Sequence, residues 1–246
     1  MAGLRVTKSE YVAFLDVDDH IDTQMAEEAY NKFKKDSDID ALLYKFVYLT
    51  GDKKRLFNVG FNFPLDGLDV ISKTIPSWEI YTNGFYKTAY ALDAYFRIDF
   101  ESPNSDEVAG RLIFEKCKKV DKLEASYYYV QYPFSHSKSP SKNHVKRLES
   151  AYWLRNYSRI NWVGKVSHDS ADAIFINELC SLCLKHKKSM PRDVGIEWYR
   201  VLFKYRKKAL SFVMSAPLRY PVRFFKDYKN IRKLLYILAM PLIVKS

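Results

Sequence analysis

The chain has 246 residues, of which 48 % are hydrophobic, 28 % charged and 16 % aromatic. That length can bury a sizeable core, and a content of only 8 Gly and 9 Pro excludes collagen-like, linker and wholly disordered classes. The formal net charge is +11, but 16 Lys or Arg and only 3 Asp or Glu lie between Lys185 and Ser246. The basic character therefore belongs to the C-terminal part of the chain.

The cysteine content and the N-terminal sequence both indicate the cellular compartment of the protein. Three cysteines are too few for the disulfide framework of a small secreted domain, which favours a reducing environment. Acidic residues from Glu10 onward replace the basic-then-apolar pattern of an export signal. We therefore expect a cytoplasmic protein.

The first predicted elements are a strand, a helix and a strand. Glu10 to Leu15 (EYVAFL) is an apolar run typical of a buried strand, and Asp40 to Leu49 predicts a second strand. Between them, Asp22 to Lys35 has helical spacing, with Asp22 or Thr23 as its cap. This order favours an α/β fold with parallel strands.

The pattern becomes less regular beyond Gly51 and then resumes. It predicts a hairpin or loop over Asp52 to Pro64, a short helix near Asp66 to Lys73, a turn at Asn83-Gly84, a helix over Ser105 to Val120 and a half-buried strand over Lys122 to Tyr132.

From about Asn143 the sequence has only helical signals. Breaks at Gly164, Pro191 and Pro217 separate four predicted helices. These helices cover Asn143 to Ile160, Asp169 to Lys188, Asp193 to Met214 and Pro221 to Met240. The chain is therefore expected to divide into an α/β domain over residues 1–140 and a helical, basic region over residues 141–246.

An acidic cluster follows the first predicted strand. Asp16, Asp18 and Asp19 lie within four residues at the end of that strand, where open α/β sheets bind their ligands. Such carboxylates repel one another unless a cation is present, and Mg²⁺ and Mn²⁺ prefer oxygen ligands completed by substrate phosphates. The cluster predicts a metal-bound diphosphate, although acidic residues after a strand also commonly cap the next helix.

The residues around this cluster resemble a known family. Glu10 to Asp19, EYVAFLDVDD, is similar to the segment of glycosyltransferase family 2, of the GT-A fold, in which a strand ends in D-x-D-D. The resemblance implies that Asp16 and Asp18 contact the nucleotide and a divalent metal, Mn²⁺ or Mg²⁺. Asp19 lies next to them and is the third candidate metal ligand.

A second part of the family pattern concerns the catalytic base. Family members have an acidic pair at the start of a later helix, and Ser105-Asp106-Glu107 occupies that place. By resemblance Asp106 is the base and Glu107 the second candidate. Tyr127 to Ser137 resembles the family's closing strand and loop, with Val130 where an Arg is usual.

The resemblance implies a fold, a reaction and the absence of an N-terminal segment. It implies a partial GT-A, Rossmann-like domain that lacks its first strands, because nothing like the family's opening nucleotide-binding segment precedes Gly3. The implied reaction is inverting transfer of a sugar from a nucleotide-diphosphate sugar to a hydroxyl. The alternative is an inactive, truncated glycosyltransferase-like domain that acts as a membrane-binding or assembly module.

The C-terminal sequence bears on location. Arg219 to Lys233 mixes basic and aromatic residues, and Leu234 to Val244 is apolar but too short to span a bilayer. Such a segment can lie at an anionic membrane surface. This predicts a peripheral protein of bacterial polysaccharide synthesis on the inner face of the membrane, with a lipid-linked acceptor. An ordinary helix with a solvated basic face is the alternative, and nucleic-acid binding lacks any reader motif.

Weaker signals allow simpler interpretations. Cys180, Cys183 and His186 have zinc-like spacing, but their predicted helix favours buried cysteines. His136 could reach a metal but better suits a solvated loop. Trp78, Tyr81 and Asn83 lie where acceptor-facing loops occur in the family, with core packing as the stronger prior.

Overall fold

The chain forms two compact units. A computed structural model describes residues 2–57, 61–76, 81, 83–100, 102–132, 141–186 and 192–219. One unit comprises Met1–Asp99 and Ser105–Ser135, and the other comprises Phe100–Asn104 and His136–Ser246. The domain boundary expected from the sequence, between residues 140 and 141, adjoins a stretch outside the described residues.

A mixed six-stranded sheet forms the centre of the first unit. The strand order is β1-β5-β3-β6-β2, and β4 also pairs with β3. Only β3 and β6 are parallel, and every other pair is antiparallel. The expected α/β class is therefore confirmed. The two strands expected to be parallel neighbours, β1 and β3, are separated by β5, and the parallel pair is β3 with β6. The strands are β1 (Tyr11–Ala13), β2 (His20–Ile21), β3 (Ala41–Thr50), β4 (Lys53–Leu56), β5 (Gly84–Lys87) and β6 (Val120–Val130).

The central strand, β3, confirms the sequence prediction closely. Its apolar run is buried over most of its length, since β6 lies along one edge and β5 and β4 share the other. Gly51, with a φ of 56°, adopts the left-handed conformation that turns β3 back into β4. Of the hairpin or loop expected over Asp52 to Pro64, the first part is β4, which pairs back with β3 to form a hairpin.

Gly84 has a different role from the one predicted. It begins β5 opposite Leu43 rather than forming a hairpin turn with Asn83. A Cβ atom at this position would lie 2.2 Å from the carbonyl oxygen of Leu42. The glycine is therefore required by the close approach of two backbones, and not by a turn.

Five helices lie among the described residues of the first unit. The predicted helix from Asp22 begins three residues later, and its N-cap Gln24 makes no side-chain cap hydrogen bond. Asp22 does not cap it because the Asp22 carboxylate accepts hydrogen bonds from β6 instead. The sequence did not predict the first and fourth helices. The five are α1 (Ala2–Val6), α2 (Met25–Lys35), α3 (Gly67–Ser72), α4 (Thr88–Phe96) and α5 (Ser105–Lys116).

Two features fix α5 and the start of β6. Buried apolar side chains of α5, among them Leu112 and Phe114, anchor the helix in the core. The buried carboxylate of Asp40 then accepts hydrogen bonds from the backbone N–H groups of Lys118 and Lys119, and from Lys87 on β5. The predicted helix to Val120 therefore ends at Lys116, and Val120 already belongs to β6.

The second unit is helical, as predicted. A short 3₁₀ helix (His144–Lys146) precedes α6 (Arg147–Asn161), α7 (His168–His186) and α8 (Arg192–Arg219). Phe175, Leu179, Trp198 and Leu202 belong to its buried core. None of the helices in the described ranges is long and apolar enough to cross a membrane.

The end of α8 differs from the sequence prediction. The helix was expected to stop at Met214, before Pro217, but its backbone continues to Arg219. Proline removes a single backbone donor, and here the loss affects only the final turn. The fourth predicted helix, Pro221 to Met240, lies outside the described residues.

Candidate functional site

The predicted metal motif forms a turn after β1. The backbone N–H of Asp19 donates to the carbonyl of Asp16 at 3.1 Å, which closes the turn. The preceding strand differs from the expected buried strand, because β1 is short, lies at one end of the sheet and is half-buried. Val17 points into solvent at the tip of the turn.

A buried carboxylate fixes this turn to β6. Asp19 is only 7 % exposed, and its two oxygens accept hydrogen bonds from the Tyr127 hydroxyl and from the Val130 N–H, the latter at 2.8 Å. The Tyr127 oxygen also lies 3.4 Å from the backbone nitrogen of Asp16, which donates to it. These three hydrogen bonds, named here the Asp19 clamp, hold the acidic turn against the sheet.

The next acidic side chains continue along the same edge of β6. Asp22 accepts hydrogen bonds from the Ser126 N–H and the Tyr128 hydroxyl. Glu28 on α2 accepts from the N–H groups of Glu124 and Ala125. Part of the acidic character near the motif therefore satisfies backbone donors of β6.

Asp16 and Asp18 remain exposed to solvent. Their carboxylates make no hydrogen bond or ion pair with any residue that the structure describes. Burial, together with the negative charges of Asp19, Asp18 and Asp106, raises the pKa of the Asp16 carboxyl. A bound cation would relieve this repulsion.

The predicted base lies at the beginning of α5. Asp106 and Glu107 occupy its first turn, where the helix dipole stabilises negative charge. Arg111, one turn later, is buried and donates to the Glu107 carbonyl and to Thr74. Burial lowers the pKa of the Arg111 guanidinium to about 10, while the charges of Glu107 and Asp106 oppose that effect. Arg111 therefore places a positive charge beneath the two carboxylates.

A cavity brings the two acidic motifs together. It has a volume of about 530 Å³, and Asp16, Asp106 and Glu107 all line it. Tyr95 also lines it, and burial together with the charges of Asp106 and Asp16 raises the pKa of Tyr95 to about 12. Asp18 and Asp19 do not line the cavity.

The floor of the cavity is aromatic. Tyr44, Phe46 and Tyr48 alternate along β3 and so project to one face of the sheet. In the parallel register, Phe46 lies opposite Tyr127 and Tyr48 opposite Tyr129. The Phe46 and Tyr127 rings stack with centroids 5.4 Å apart. We call these five residues the aromatic floor.

Tyr81 extends the floor. Its ring stacks on Phe46 at 3.7 Å, and its hydroxyl accepts a hydrogen bond from the Tyr48 hydroxyl at 2.8 Å. Tyr81 and Asn83 both line the cavity, and the packing of Tyr81 against the buried core agrees with the core packing that the sequence favoured. Trp78 lies outside the described residues.

The side chains near the acidic turn indicate whether a metal ion could bind there. No group of three or more His, Cys, Asp or Glu side chains gathers around a possible ion position in the described ranges. Asp16 and Asp18 offer carboxylates without a competing partner there, whereas both Asp19 oxygens are already hydrogen-bonded. Two carboxylates fit a divalent cation whose remaining ligands are water and phosphate.

The remaining residues that the sequence singled out do not line the cavity or lie outside the described residues. Ser105 begins α5 ahead of Asp106. Cys180 is buried on α7, which agrees with the expectation of buried cysteines on a helix. The side chains of Cys183 and His186, and the whole of His136, lie outside the described residues.

Sequence reasoning missed the aromatic floor and the Asp19 clamp. The alternating aromatic residues of β3 and β6 were visible in the sequence, but the strand pairing that brings them together was not. Tyr127 and Asp19 are separated by 108 positions, so no local pattern connects them.

Comparisons with known proteins give no family assignment. No protein-family model matches the chain, and no curated protein matches it significantly. Function is therefore argued from the geometry of the site.

We predict that Asp19→Ala lowers the free energy of unfolding by about 3 kcal/mol, because it leaves the Val130 N–H and the Tyr127 hydroxyl without their acceptor. Urea unfolding followed by circular dichroism measures the loss. Asp18→Ala, one residue away and exposed, is the matched control and should change the value by no more than about 0.5 kcal/mol. Equal midpoints for the two variants contradict the clamp.

Asp16→Asn should raise the thermal unfolding midpoint at pH 7 by about 1–2 °C in buffer containing a metal chelator. The raised pKa of Asp16 means that its ionised form destabilises the fold. The gain should therefore shrink as the pH falls through the raised pKa and vanish below about 3.9, where the wild-type carboxyl is protonated in both the folded and the unfolded state.

Asp36→Asn is a control for which the expected shift of the unfolding midpoint has the opposite sign. A hydrogen bond from Lys119 lowers the pKa of Asp36, so this carboxylate stabilises the fold at neutral pH. Its replacement should lower the midpoint at pH 7, with the difference vanishing in acid. Differential scanning calorimetry across this pH range measures both variants, and a lower midpoint for Asp16→Asn at pH 7 would refute the prediction.

Proposed function

We propose that the first unit is a glycosyltransferase domain of the GT-A type, similar to family 2, that transfers a sugar from a nucleotide-diphosphate sugar to a hydroxyl. One observation carries this proposal. Asp16 of the acidic turn and Asp106 of α5, far apart in the sequence, line the same cavity. That is the arrangement expected of a donor-binding carboxylate and a catalytic base acting on one bond.

The charge of the cavity favours a metal-dependent donor. Three carboxylates line it, and none of its described lining residues is Lys, Arg or His. A diphosphate entering alone would meet only negative charge. Asp16 and Asp18 would hold the Mn²⁺ or Mg²⁺ ion, which when bound neutralises charge on the leaving diphosphate.

The transfer step needs one base. Asp106 accepts the proton of the acceptor hydroxyl as the hydroxyl oxygen forms its bond to the anomeric carbon. The bond from that carbon to the donor phosphate breaks at the same time, and its electron pair leaves with the nucleoside diphosphate. Attack opposite the leaving group inverts the anomeric configuration.

The protein's part is mainly to position these groups. The Asp19 clamp holds the backbone of Asp16, and Arg111 fixes the first turn of α5 through Thr74 and the Glu107 carbonyl. Glu107 forms a weak ion pair with Arg111 at 3.8 Å.

A membrane-bound acceptor is the second part of the proposal. On α8, Arg200, Lys204 and Lys207 recur at helical spacing and are all exposed. Tyr199 and Phe203 stack beside this basic stripe with ring centroids 5.8 Å apart. Basic and aromatic residues on one face suit anionic headgroups. We infer a peripheral protein on the inner membrane face that acts on a lipid-linked glycan.

A non-catalytic binding module is the competing function. It is favoured by the engagement of Asp19 in the fold, which leaves two aspartates instead of three for a cation. The two functions differ in whether a nucleoside diphosphate binds with the metal.

We expect the 246-residue chain to bind Mn²⁺ more tightly in the presence of UDP or another nucleoside diphosphate. Loss of the free Mn²⁺ electron paramagnetic resonance signal measures the binding. Asp16→Ala and Asp18→Ala should each weaken binding about tenfold or more because they remove carboxylate ligands. Glu27→Gln, an exposed carboxylate on α2, is the control and should bind as the wild type does.

Asp106→Asn should retain Mn²⁺–nucleotide binding and lower the release of nucleoside diphosphate from a sugar donor by about a hundredfold or more. Turnover at the wild-type rate would disprove the assignment of the base. A wild-type chain that binds no nucleoside diphosphate with Mn²⁺ would favour the non-catalytic module.

The chain should float with vesicles that contain phosphatidylglycerol and not with vesicles of phosphatidylcholine alone. Replacing Arg200, Lys204 and Lys207 together by Gln should lower binding by about a hundredfold, since each basic residue near the surface adds about 1 kcal/mol. Replacing Lys34, Lys35 and Lys53 by Gln removes the same charge elsewhere. Equal loss in both triple variants is the result that excludes a specific stripe.

A further inference from the structure

The aromatic floor runs from a buried end to an open end. On β3, Phe46 is buried, Tyr48 is half-buried and Thr50 is exposed. The neighbouring strand behaves in the same way, since Tyr127 is buried and Tyr129 is half-buried. Because β3 and β6 are parallel and end together, the floor becomes accessible to solvent at their carboxyl ends, where α/β sheets commonly bind ligands.

Arg55 lies at this open end. It is opposite Tyr48 in the antiparallel register of β4 and β3, and opposite residues project from the same face of a sheet. The guanidinium carbon of Arg55 lies 4.4 Å from the centroid of the Tyr48 ring, and Tyr48 lines the cavity. Arg55 therefore places a positive charge at the margin of the cavity.

The guanidinium of Arg55 is oriented by the ring and keeps its hydrogen-bond donors. Arg55 is exposed, and it makes no hydrogen bond or ion pair with any residue that the structure describes. Contact with a ring uses the flat face of the guanidinium, whereas its N–H groups point outward in its plane. Such a planar fork matches the oxygens of an anionic group through two parallel hydrogen bonds.

A second donor lies in the next row of the sheet. The Thr50 hydroxyl donates to the side-chain carbonyl oxygen of Gln131 at 3.0 Å, which orients the amide and leaves its NH₂ group as a donor. Thr50 is two residues beyond Tyr48, and Gln131 is two residues beyond Tyr129, so both lie on the cavity side of the sheet. Arg55 and Gln131 therefore border the open end from different strands.

The position of Arg55 separates it from the acidic turn. β4 pairs with one edge of β3 and β6 with the other, and the Asp19 clamp bonds the turn to β6. The backbones of β4 and β6 are therefore about 10 Å apart, or two strand spacings. A diphosphate bound through a cation at Asp16 and Asp18 would lie on the β6 side, so Arg55 suits a second anionic group.

We propose that Arg55, with the amide of Gln131, binds a phosphate group of the acceptor. The proposal rests on the proposed transferase function, which places the donor diphosphate at the acidic turn. It adds that the acceptor is a phosphorylated saccharide, with its ring on the aromatic floor and its phosphate at the open end. A phosphate monoester has three acceptor oxygens, enough for the fork of Arg55 and for Gln131, whereas a carboxylate has only two.

Matched saccharides test the inference on the 246-residue chain. Glucose 1-phosphate and methyl glucoside, and their galactose counterparts, share a ring and differ in the phosphate. Affinities come from titrations followed by saturation-transfer nuclear magnetic resonance at low salt, with a chelator to remove metal ions. We expect the phosphate to tighten binding about tenfold and Arg55→Gln to abolish that gain. Glucuronic acid should bind more weakly than glucose 1-phosphate.

Three further variants locate the effect. Arg55→Lys keeps the charge but loses the planar fork, so it should lose about threefold in affinity for glucose 1-phosphate. Gln131→Ala should weaken binding of the same ligand several-fold and leave methyl glucoside unchanged. Lys54→Gln is the matched control, because Lys54 is the next residue of β4 but its Nζ lies 5.5 Å from the Tyr128 ring on the other face of the sheet. Circular dichroism checks that each variant is folded.

The donor is tested with the same variants. UDP with Mn²⁺ should bind equally to the wild type and to Arg55→Gln. A loss there as large as the loss for glucose 1-phosphate would assign Arg55 to the donor diphosphate and overturn the inference. A phosphate that adds no affinity in the wild type, a gain that survives Arg55→Gln, or equal binding of glucuronic acid also overturns it. Binding of Mn²⁺ and UDP by the wild type decides the transferase proposal separately.

Discussion

The candidate site depends on one buried hydrogen-bonded carboxylate, that of Asp19. It accepts from Tyr127 and Val130 on β6 and so fixes the turn that presents Asp16 and Asp18. Asp19 thus has a structural role, and it positions Asp16 and Asp18, whose carboxylates are available to bind a ligand. Neighbouring acidic residues in one motif can therefore have opposite roles, and burial distinguishes them.

A second constraint is the parallel pairing of β3 and β6. Its register places Phe46 opposite Tyr127 and Tyr48 opposite Tyr129, which builds the aromatic floor. Because Tyr127 belongs to both the floor and the Asp19 clamp, the acidic turn and the cavity are positioned by the same strand. The cavity and the acidic motif are consequently a single structural arrangement.

The sequence predicted those parts that depend on local pattern. The apolar run of β3 and the spacing of α5 identified their elements, and the acidic motifs identified Asp16 and Asp106 as site candidates. Prediction failed where distant residues decide the outcome. Asp22 caps no helix because its carboxylate oxygens accept hydrogen bonds from β6. Gly84 is required by the close approach of the Leu42 backbone, which leaves no room for a side chain, and not by a turn.

The hydrogen bonds that Asp19, Asp22 and Glu28 accept along β6 also affect how the protein associates with itself. A strand edge that is only partly paired normally displays donors on which a strand of another molecule can assemble. Here four backbone N–H groups and two hydroxyl groups of β6 are already occupied by side chains, and β2 pairs with only two of its residues. A foreign strand would have to displace all three carboxylates, so this edge is protected against fibril growth.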